Sequence, residues 1–211
     1  MKSIGVLNQK GGVGKSTVAI CLAVEAMQRG LGVLLVDADP QGTARTWAEV
    51  ASENGRPVPM VIHMGATMHK PGQLPELAQG YALVVIDGPP RHGDIQRSML
   101  MFADTIIIPC GPSANDAWAL GETIALIVDA QTLRPELEAA ILINRRKTGT
   151  AIGAGARDAL GGAGLPVLKT EIADRVAYQE ALAAGQGVTT YAPGDAAAQE
   201  IKALYREIMR G

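Results

Sequence analysis

The sequence predicts an α/β fold: a mostly parallel, twisted sheet of about seven strands with helices on both faces. Three observations carry that expectation. Short runs of Val, Ile and Leu recur along the chain without clean polar alternation, as strands covered on both faces do. Stretches with helical spacing separate them, which is the rhythm of βαβ units. The core must be aliphatic, because 211 residues contain only one Phe, two Trp and four Tyr while hydrophobic residues reach 47%.

Taken in order, the first strand falls at Ser3–Leu7, followed by a helix over Thr17–Arg29. That helix stops before Gly30, a residue suited to the left-handed turn that ends helices. A strand over Gly32–Val36 leads to a helix over Thr43–Glu53, and a strand over Pro59–Ile62 opens a long Gly- and Pro-rich connection, His63–Gly80, with room for one short helix. A strand over Leu83–Ile86 precedes a helix over Asp94–Met101, and a strand over Thr105–Ile108 precedes a single helix over Asn115–Gln131. Strands at Ala139–Ile143 and Pro166–Leu168 alternate with helices at Ala151–Leu160 and Val176–Ala184. The last helix, Ala196–Arg210, follows Asp195, a residue that caps helix N-termini. No repeat, low-complexity tract or long linker interrupts the alternation, so one domain spanning residues 1–211 is expected.

Composition excludes several classes. The formal net charge is -2, so overall charge draws no particular partner and any nucleic-acid contact needs a local patch. Cys21 and Cys110 are far apart and form no CxxC pair, which argues against a zinc site or disulfide framework and for two small buried hydrophobes in a reducing cytosol. No window approaches the ~20 apolar residues that cross a bilayer, and the apolar run at the N-terminus is too short for a signal peptide.

Chemistry concentrates at the carboxyl ends of three predicted strands, where open parallel sheets bind ligands. The stretch NQKGGVGKST, Asn8 to Thr17, is a variant of G-x-x-x-x-G-K-[ST]: Gln9 stands where the usual first glycine would be. Glycines 11, 12 and 14 let the backbone around Val13 turn its N–H groups toward phosphate, and the helix that begins there adds its partial positive charge. Lys15 reaches the outer phosphates and the Ser16 hydroxyl is placed for Mg²⁺, with Thr17 completing the turn. The stretch VLLVDADPQG ends its strand in Asp37 and Asp39, both directed toward the phosphates. The stretch ALVVIDGPP ends in Asp87, suited to hold Mg²⁺ through a water. Ser16, Asp37 and Asp87 are thus the candidate metal residues. Lys10 is an extra cation beyond the one that a phosphate needs; it is either a solvated charge or an amine supplied to another subunit's nucleotide. A cation supplied in trans would stabilise the charge that shifts during γ-phosphoryl transfer and would make hydrolysis depend on dimerisation.

The run K-G-G-V-G-K-S-T with the two acidic stretches resembles the ParA/MinD family of P-loop ATPases. The resemblance implies a P-loop NTPase fold, an Mg²⁺-dependent ATP hydrolase, and a homodimer with ATP shared at its seam. It implies that Lys10 crosses to the other subunit's nucleotide and that Asp39 orients the attacking water. TIIIPCGPS, Thr105 to Ser113, looks like the family's segment near the dimer interface. Asn144 in ILINRRKTG matches an asparagine that contacts adenine, or else it caps a strand end. ADRVAYQEALAAGQGVTTYAP, Ala173 to Pro193, is similar to the C-terminal pattern of partition ATPases.

Members differ in what the ATP-bound dimer holds. The final segment spaces Ala197, Ile201, Leu204, Tyr205 and Ile208 on one stripe, but Glu200 and Glu207 share its polar face with Lys202, Arg206 and Arg210. An interfacial helix favours Lys and Arg there, so a packed core helix is expected and no membrane partner. Neither cysteine falls where cluster ligands of nitrogenase-reductase relatives lie. Arg145, Arg146 and Lys147 in a run, with Lys169 and Arg175, form either a patch for non-specific DNA or a solvated face. The chain starts at its first strand, so no operator-reading arm is expected. The expected function is segregation of plasmid or chromosomal DNA with a centromere-binding partner that stimulates hydrolysis, in the cytoplasm and on the nucleoid. The alternatives are positioning of a protein cargo such as a chemoreceptor cluster or microcompartment through an adaptor, a membrane-associated relative, or a metabolic P-loop enzyme. Arg91 and His92, after the third stretch, have no assigned role.

Overall fold

The computed structural model describes residues 1–147 and 149–210, with backbone alone at residue 114 and residues 151–154. The elements run β1 (Lys2–Val6), α1 (Lys15–Gln28), β2 (Val33–Asp37), α2 (Thr43–Glu53), β3 (Met60–His63), α3 (Leu74–Leu77), β4 (Leu83–Asp87), α4 (Gly93–Leu100), β5 (Thr105–Cys110), α5 (Ala114–Trp118), α6 (Leu120–Leu133), β6 (Glu138–Arg146), α7 (Ala151–Leu160), β7 (Val167–Ala173), α8 (Val176–Ala183), α9 (Val188–Tyr191) and α10 (Ala196–Ile208). The strands form one parallel sheet in the order β3-β2-β4-β1-β5-β6-β7. The expected seven-stranded α/β architecture is what the chain adopts.

Alternate residues of each strand feed opposite layers, as the two-residue period of a strand dictates. Val33, Leu35, Leu83 and Val85 pack beneath α1, α2 and α8–α10. Leu34, Val36, Val84 and Ile86 pack against α4, α6 and α7 on the other face. Helix α1 is enclosed almost all round, with Val18 to Ala26 buried, which explains its apolar sequence. The apolar stripe of α10 (Ala197, Ile201, Leu204, Tyr205, Ile208) is buried in the same layer. Its acidic residues tie it down: Glu207 accepts the Lys169 and Thr170 N–H groups at 2.7 and 2.9 Å, and Glu200 accepts from Arg175 and Tyr178. Covering the β7 edge in this way removes unpaired strand donors. Asp195 caps α10 through the Ala197 N–H at 2.7 Å. Among the described residues, no helix is long and apolar enough to cross a membrane.

Two expectations need correction. The single helix expected over Asn115–Gln131 is two, α5 and α6, which meet at a turn at Ala119 (φ -71, ψ -9), whose N–H still donates to the Asn115 carbonyl at 3.3 Å. The sequence carries one weak local signal there, Gly121. The break is tertiary: Asp116 of α5 and Thr123 of α6 each bind the loop after β1. The short helix α9, inside the segment after Gly185, has too few residues to show a period.

Close packing predicts where small residues are obligatory. A Cβ at Gly185 (φ 67) would lie 2.5 Å from Ala51 Cα, whereas one at Gly121 in α6 meets nothing within 4 Å. Gly185→Ala is expected to cost about 2–4 kcal/mol, a fall in Tm of about 5–10 °C, while Gly121→Ala raises stability by about 0.5–1 kcal/mol. Thermal denaturation of the two variants checks both signs.

Candidate functional site

Strand register builds the site. Val6, Asp37 and Asp87 lie at one level of the sheet, since Asp87 pairs with Val6 on one side and Asp37 on the other. The glycine-rich loop leaves β1 at that level and enters α1 at Lys15. Gly12 and Gly14 take φ 74 and 88, and a Cβ at Gly14 would lie 2.5 Å from Asn144 Nδ2, so only glycine serves there.

The loop's carbonyls point outward and are held there. Lys15 Nζ donates to the Lys10 carbonyl at 3.0 Å, Arg145 Nη1 to that of Gly12 at 2.7 Å, and Asn144 Nδ2 to that of Val13 at 2.7 Å. The loop's start is anchored as well. Asn8 donates to the Pro109 carbonyl at 2.8 Å and accepts the Lys10 N–H at 2.9 Å, and Gln9 N–H donates to Thr123 Oγ1 at 3.0 Å. Among the described residues, the N–H groups of Gly11 through Thr17 donate to no acceptor in the chain. Such a row of free N–H groups at a helix N-terminus is an anion-binding cradle.

The cradle opens on a cavity of about 470 Å³ lined by Gly11, Gly14, Lys15, Ser16, Thr17 and Asp39 at one end. Asn144, Ile172, Asp174 and Tyr178 line the other end, an arrangement with room for a planar base beyond the phosphates. Of the residues predicted for nucleotide binding, all but Lys10 and Val13 line this cavity. Val13 is buried beneath the loop. Asn144 reaches the cavity, but its amide is already engaged with Val13 and its Oδ1 accepts the Arg145 N–H.

The acidic residues separate by their partners. Asp37 is fully buried; its Oδ1 accepts from the Asp39 N–H and its Oδ2 from the Arg45 N–H, with the Arg45 guanidinium 3.4 Å away. It braces the turn after β2. Asp39 accepts the Gln41 N–H at 2.9 Å and faces the cavity. Asp87 is fully buried and neither carboxylate oxygen has a hydrogen-bond partner. Burial pushes its pKa up to about 7, Asp37 and Asp39 add to the rise, and the Ser16 hydroxyl and Lys15 oppose it. Burial likewise lowers the Lys15 pKa, against the pull of Asp87 and Asp39. An orphaned carboxylate beside a hydroxyl and a phosphate cradle suits Mg²⁺, which takes one or two protein oxygens and completes its shell with water and phosphate. Among the described residues, no group of three or more His, Cys, Asp and Glu could hold a metal by itself.

Lys10 lies outside that cavity. Its ammonium pairs with Asp116 at 2.7 Å, and both line an adjoining cavity of about 560 Å³ with Ser113 and Lys147. Asp116 and Ser113 form the box that caps α5. Asp116 went unnoticed in the sequence, where only the S-x-x-D spacing marks it.

The proposed DNA patch is divided. Arg146 pairs with Glu171 at 2.7 Å and Arg175 with Glu200 at 2.8 Å. Arg145 turns inward onto the loop. Lys147 and Lys169 remain exposed. His92 is exposed, with Nδ1 2.7 Å from the Pro90 carbonyl, and Arg91 takes φ 50. Both cysteines are buried and free, each thiol pushed up to about 12, mainly by burial.

Residues 4–188 match the family described as the CobQ/CobB/MinD/ParA nucleotide binding domain. The chain is 34% identical over 210 residues to a maintenance of carboxysome distribution protein A of Halothiobacillus neapolitanus, covering 98% of this chain and 96% of that protein. It is 28% identical over 238 residues to the chromosome-partitioning ATPase Soj of Thermus thermophilus, covering 99% and 96%. Its fold superposes on the Cyanothece McdA(D38A)–ATP complex with a TM-score of 0.82 at 17% identity, covering 99% of this chain and 96% of that one. The chain belongs to the CobQ/CobB/MinD/ParA family of nucleotide-binding domains.

The Asp87 carboxyl sets a pH dependence. A pKa raised from 3.8 to about 7 means that the native state holds this proton more tightly than the unfolded chain, so stability from this group is present below about pH 4 and lost as pH rises through 7. In the nucleotide-free protein, Asp87→Asn removes that loss. Relative to the variant, the wild type is expected to gain about 2–3 kcal/mol of stability between pH 8 and pH 5. Urea unfolding of both proteins at the two pH values measures it.

Proposed function

We propose that this member of the family is an Mg²⁺-dependent ATPase whose ATP-bound form pairs with a second copy of itself and positions a cargo. The observation that carries this reading is the cradle of free N–H groups from Gly11 to Thr17, with Lys15 beside it and Lys10 held outside it. Phosphates satisfy the cradle, and the Lys15 amine leaves the Lys10 carbonyl to meet their outer oxygens. Ser16 and Asp87 would hold Mg²⁺, which would neutralise phosphate charge. Asp39 faces the cavity with one oxygen on the Gln41 N–H, and its other oxygen is the acceptor that orients water for attack. Lys10 lines no part of its own chain's nucleotide cavity, which supports a role on a neighbouring protomer's ligand.

The cargo is favoured to be a protein assembly such as a microcompartment, reached through an adaptor that stimulates hydrolysis. Likeness to carboxysome distribution proteins along nearly the whole chain supports this. Likeness to a chromosome-partitioning ATPase supports the second reading, segregation of plasmid or chromosomal DNA with a centromere-binding partner. Both use non-specific DNA as the track. Lys147 and Lys169 are exposed cations of that patch with no ion-pair partner among the described residues, beside the exposed but loop-bonded Arg145, and the ATP state would sit on the nucleoid. A pull-down with Asp39→Ala and ATP separates them by recovering an adaptor for a protein cargo or a centromere-binding protein.

Sedimentation tests the switch itself: ATP should convert monomer to dimer and ADP should not. Lys15→Ala is expected to weaken ATP binding at least 100-fold, as loss of a buried charge-assisted contact does. Lys10→Ala should bind ATP within about threefold of wild type yet fail to dimerise or hydrolyse it. Similar, mild effects of both would end the shared-nucleotide reading.

The Lys10–Asp116 pair must open before Lys10 can cross. Asp116→Asn keeps a side-chain oxygen for the α5 cap but removes the charge that holds the ammonium. A half-exposed pair of this kind is worth about 0.5–1 kcal/mol, so ATP-dependent dimerisation should strengthen by about two- to fivefold per protomer, read by concentration-dependent sedimentation with ATP.

A further inference from the structure

Arg145 is one of two non-glycine residues with positive φ among those described, at 55. It sits at the end of β6, where pairing with β7 slips between Ile143 and Arg146. Slips of this kind re-aim side chains, and an L-residue in the left-handed region is held there only by what surrounds it. What the strained backbone delivers is a guanidinium laid across the phosphate loop, with Nη1 2.7 Å from the Gly12 carbonyl and Nε 4.0 Å from Asp174. Asn144 Nδ2 makes the matching bond to the Val13 carbonyl at 2.7 Å. Two consecutive residues of β6 thus hold two consecutive carbonyls of the loop away from the cradle. Arg145 also lines both the nucleotide cavity and the adjoining cavity that contains Lys10.

We infer that Arg145 is a positioning residue for nucleotide binding: its guanidinium fixes the Gly12 carbonyl outward, so that the loop presents its N–H groups to phosphate before any ligand arrives. A peptide unit that rotated would turn a carbonyl oxygen toward the phosphate instead, replacing attraction with repulsion. The left-handed backbone at Arg145 is the means of reaching the loop from the strand end. This rests on the phosphate-site reading above, and it takes Arg145 out of the DNA patch in which the sequence places it.

The test uses the full chain and a fluorescent ATP analogue, with Arg145→Ala, Arg145→Lys and Arg145→Asn. Loss of a hydrogen bond from a charged donor predicts at least about a tenfold weaker affinity for Ala and Asn. In ATP hydrolysis that loss should fall mainly on KM, and Lys, which keeps a charge and part of the reach, should recover some of it. Asn accepts left-handed backbone, so its melting temperature should match or exceed that of Ala while its affinity loss is the same. That outcome separates loop positioning from general destabilisation. At saturating ATP, Arg145→Ala should still shift non-specific DNA in a gel. ATP affinity within twofold of wild type in Arg145→Ala, or loss of the DNA shift with ATP affinity intact, overturns the assignment. Lys15→Ala is the parallel control: if it too keeps wild-type ATP affinity, the phosphate-site reading itself fails.

Discussion

The structure depends on one constraint: a loop at the C-terminal edge of the sheet must keep its N–H groups free and its carbonyls occupied. A buried or half-buried peptide group without a partner costs free energy. Here seven consecutive N–H groups lack a partner among the described residues. That arrangement persists because every competing geometry is blocked. Lys15, Arg145 and Asn144 hold three loop carbonyls, and Asn8 and Thr123 fix the loop's entry. The donors to those carbonyls come from α1 and β6 and the acceptors at the loop's entry from α6 and the loop itself, so the cradle is a property of the assembled sheet. Water can meet the N–H groups of the exposed Gly11 and Gly12, but an anion meets the whole row at once, which ties nucleotide binding to the stability of the surrounding elements.

The parallel sheet does a second job by bringing like charges to one level. Asp37 and Asp87 are register partners on adjacent strands, both fully buried. Two buried carboxylates side by side would repel, and the chain treats them differently. Asp37 receives two N–H donors and an arginine. Asp87 receives no such donors among the described residues, only the neighbouring Ser16 hydroxyl opposing the rise, and burial raises its proton affinity. One acid is finished as structure and the other is left unfinished. The asymmetry follows from the turn after β2, which folds Arg45 and the Asp39 N–H back onto Asp37, whereas the Gly-Pro-Pro turn after β4 supplies no donor to Asp87.

Much of this was legible in the sequence because it rests on local chemistry. Apolar runs of five or six residues mark strands whatever their order, and Gly12 and Gly14 mark a loop that needs positive φ. The three acids announce themselves at strand ends. What stayed hidden depends on partners distant in the chain. The run Arg145–Lys147 reads as one basic patch because sequence shows adjacency, yet left-handed backbone and strand slippage send Arg145 one way, and Glu171 claims Arg146. Asp37 and Asp39 look equivalent until Arg45 is seen beside one of them. The break at Ala119 has only Gly121 as a local signal, while Asp116 and Thr123 are drawn to a loop more than a hundred residues upstream.

In the proposed reading, the pairing of Lys10 with Asp116 bears on why a chain with a complete phosphate cradle would use a second copy. A free ammonium beside bound triphosphate would be drawn to it, and at 4 Å in a medium of intermediate dielectric that attraction amounts to a few kcal/mol. If Lys10 could reach its own nucleotide, a monomer would carry both cations and dimerisation would add nothing. Asp116 prevents this by position. It stands on α5, on the far side of the loop from the nucleotide cavity, and its oxygen is aligned by Ser113 and the helix cap. The ammonium therefore rests away from its own chain's ligand, 40% exposed and facing the adjoining cavity. A pair of this exposure is weak enough to yield to a triphosphate, so in the proposed reading it is the position of Lys10, and not the strength of the Asp116 contact, that keeps the ammonium from its own chain's ligand. On that reading, geometry would set which phosphate Lys10 serves, and the modest strength of the Asp116 contact would set how readily it changes partner.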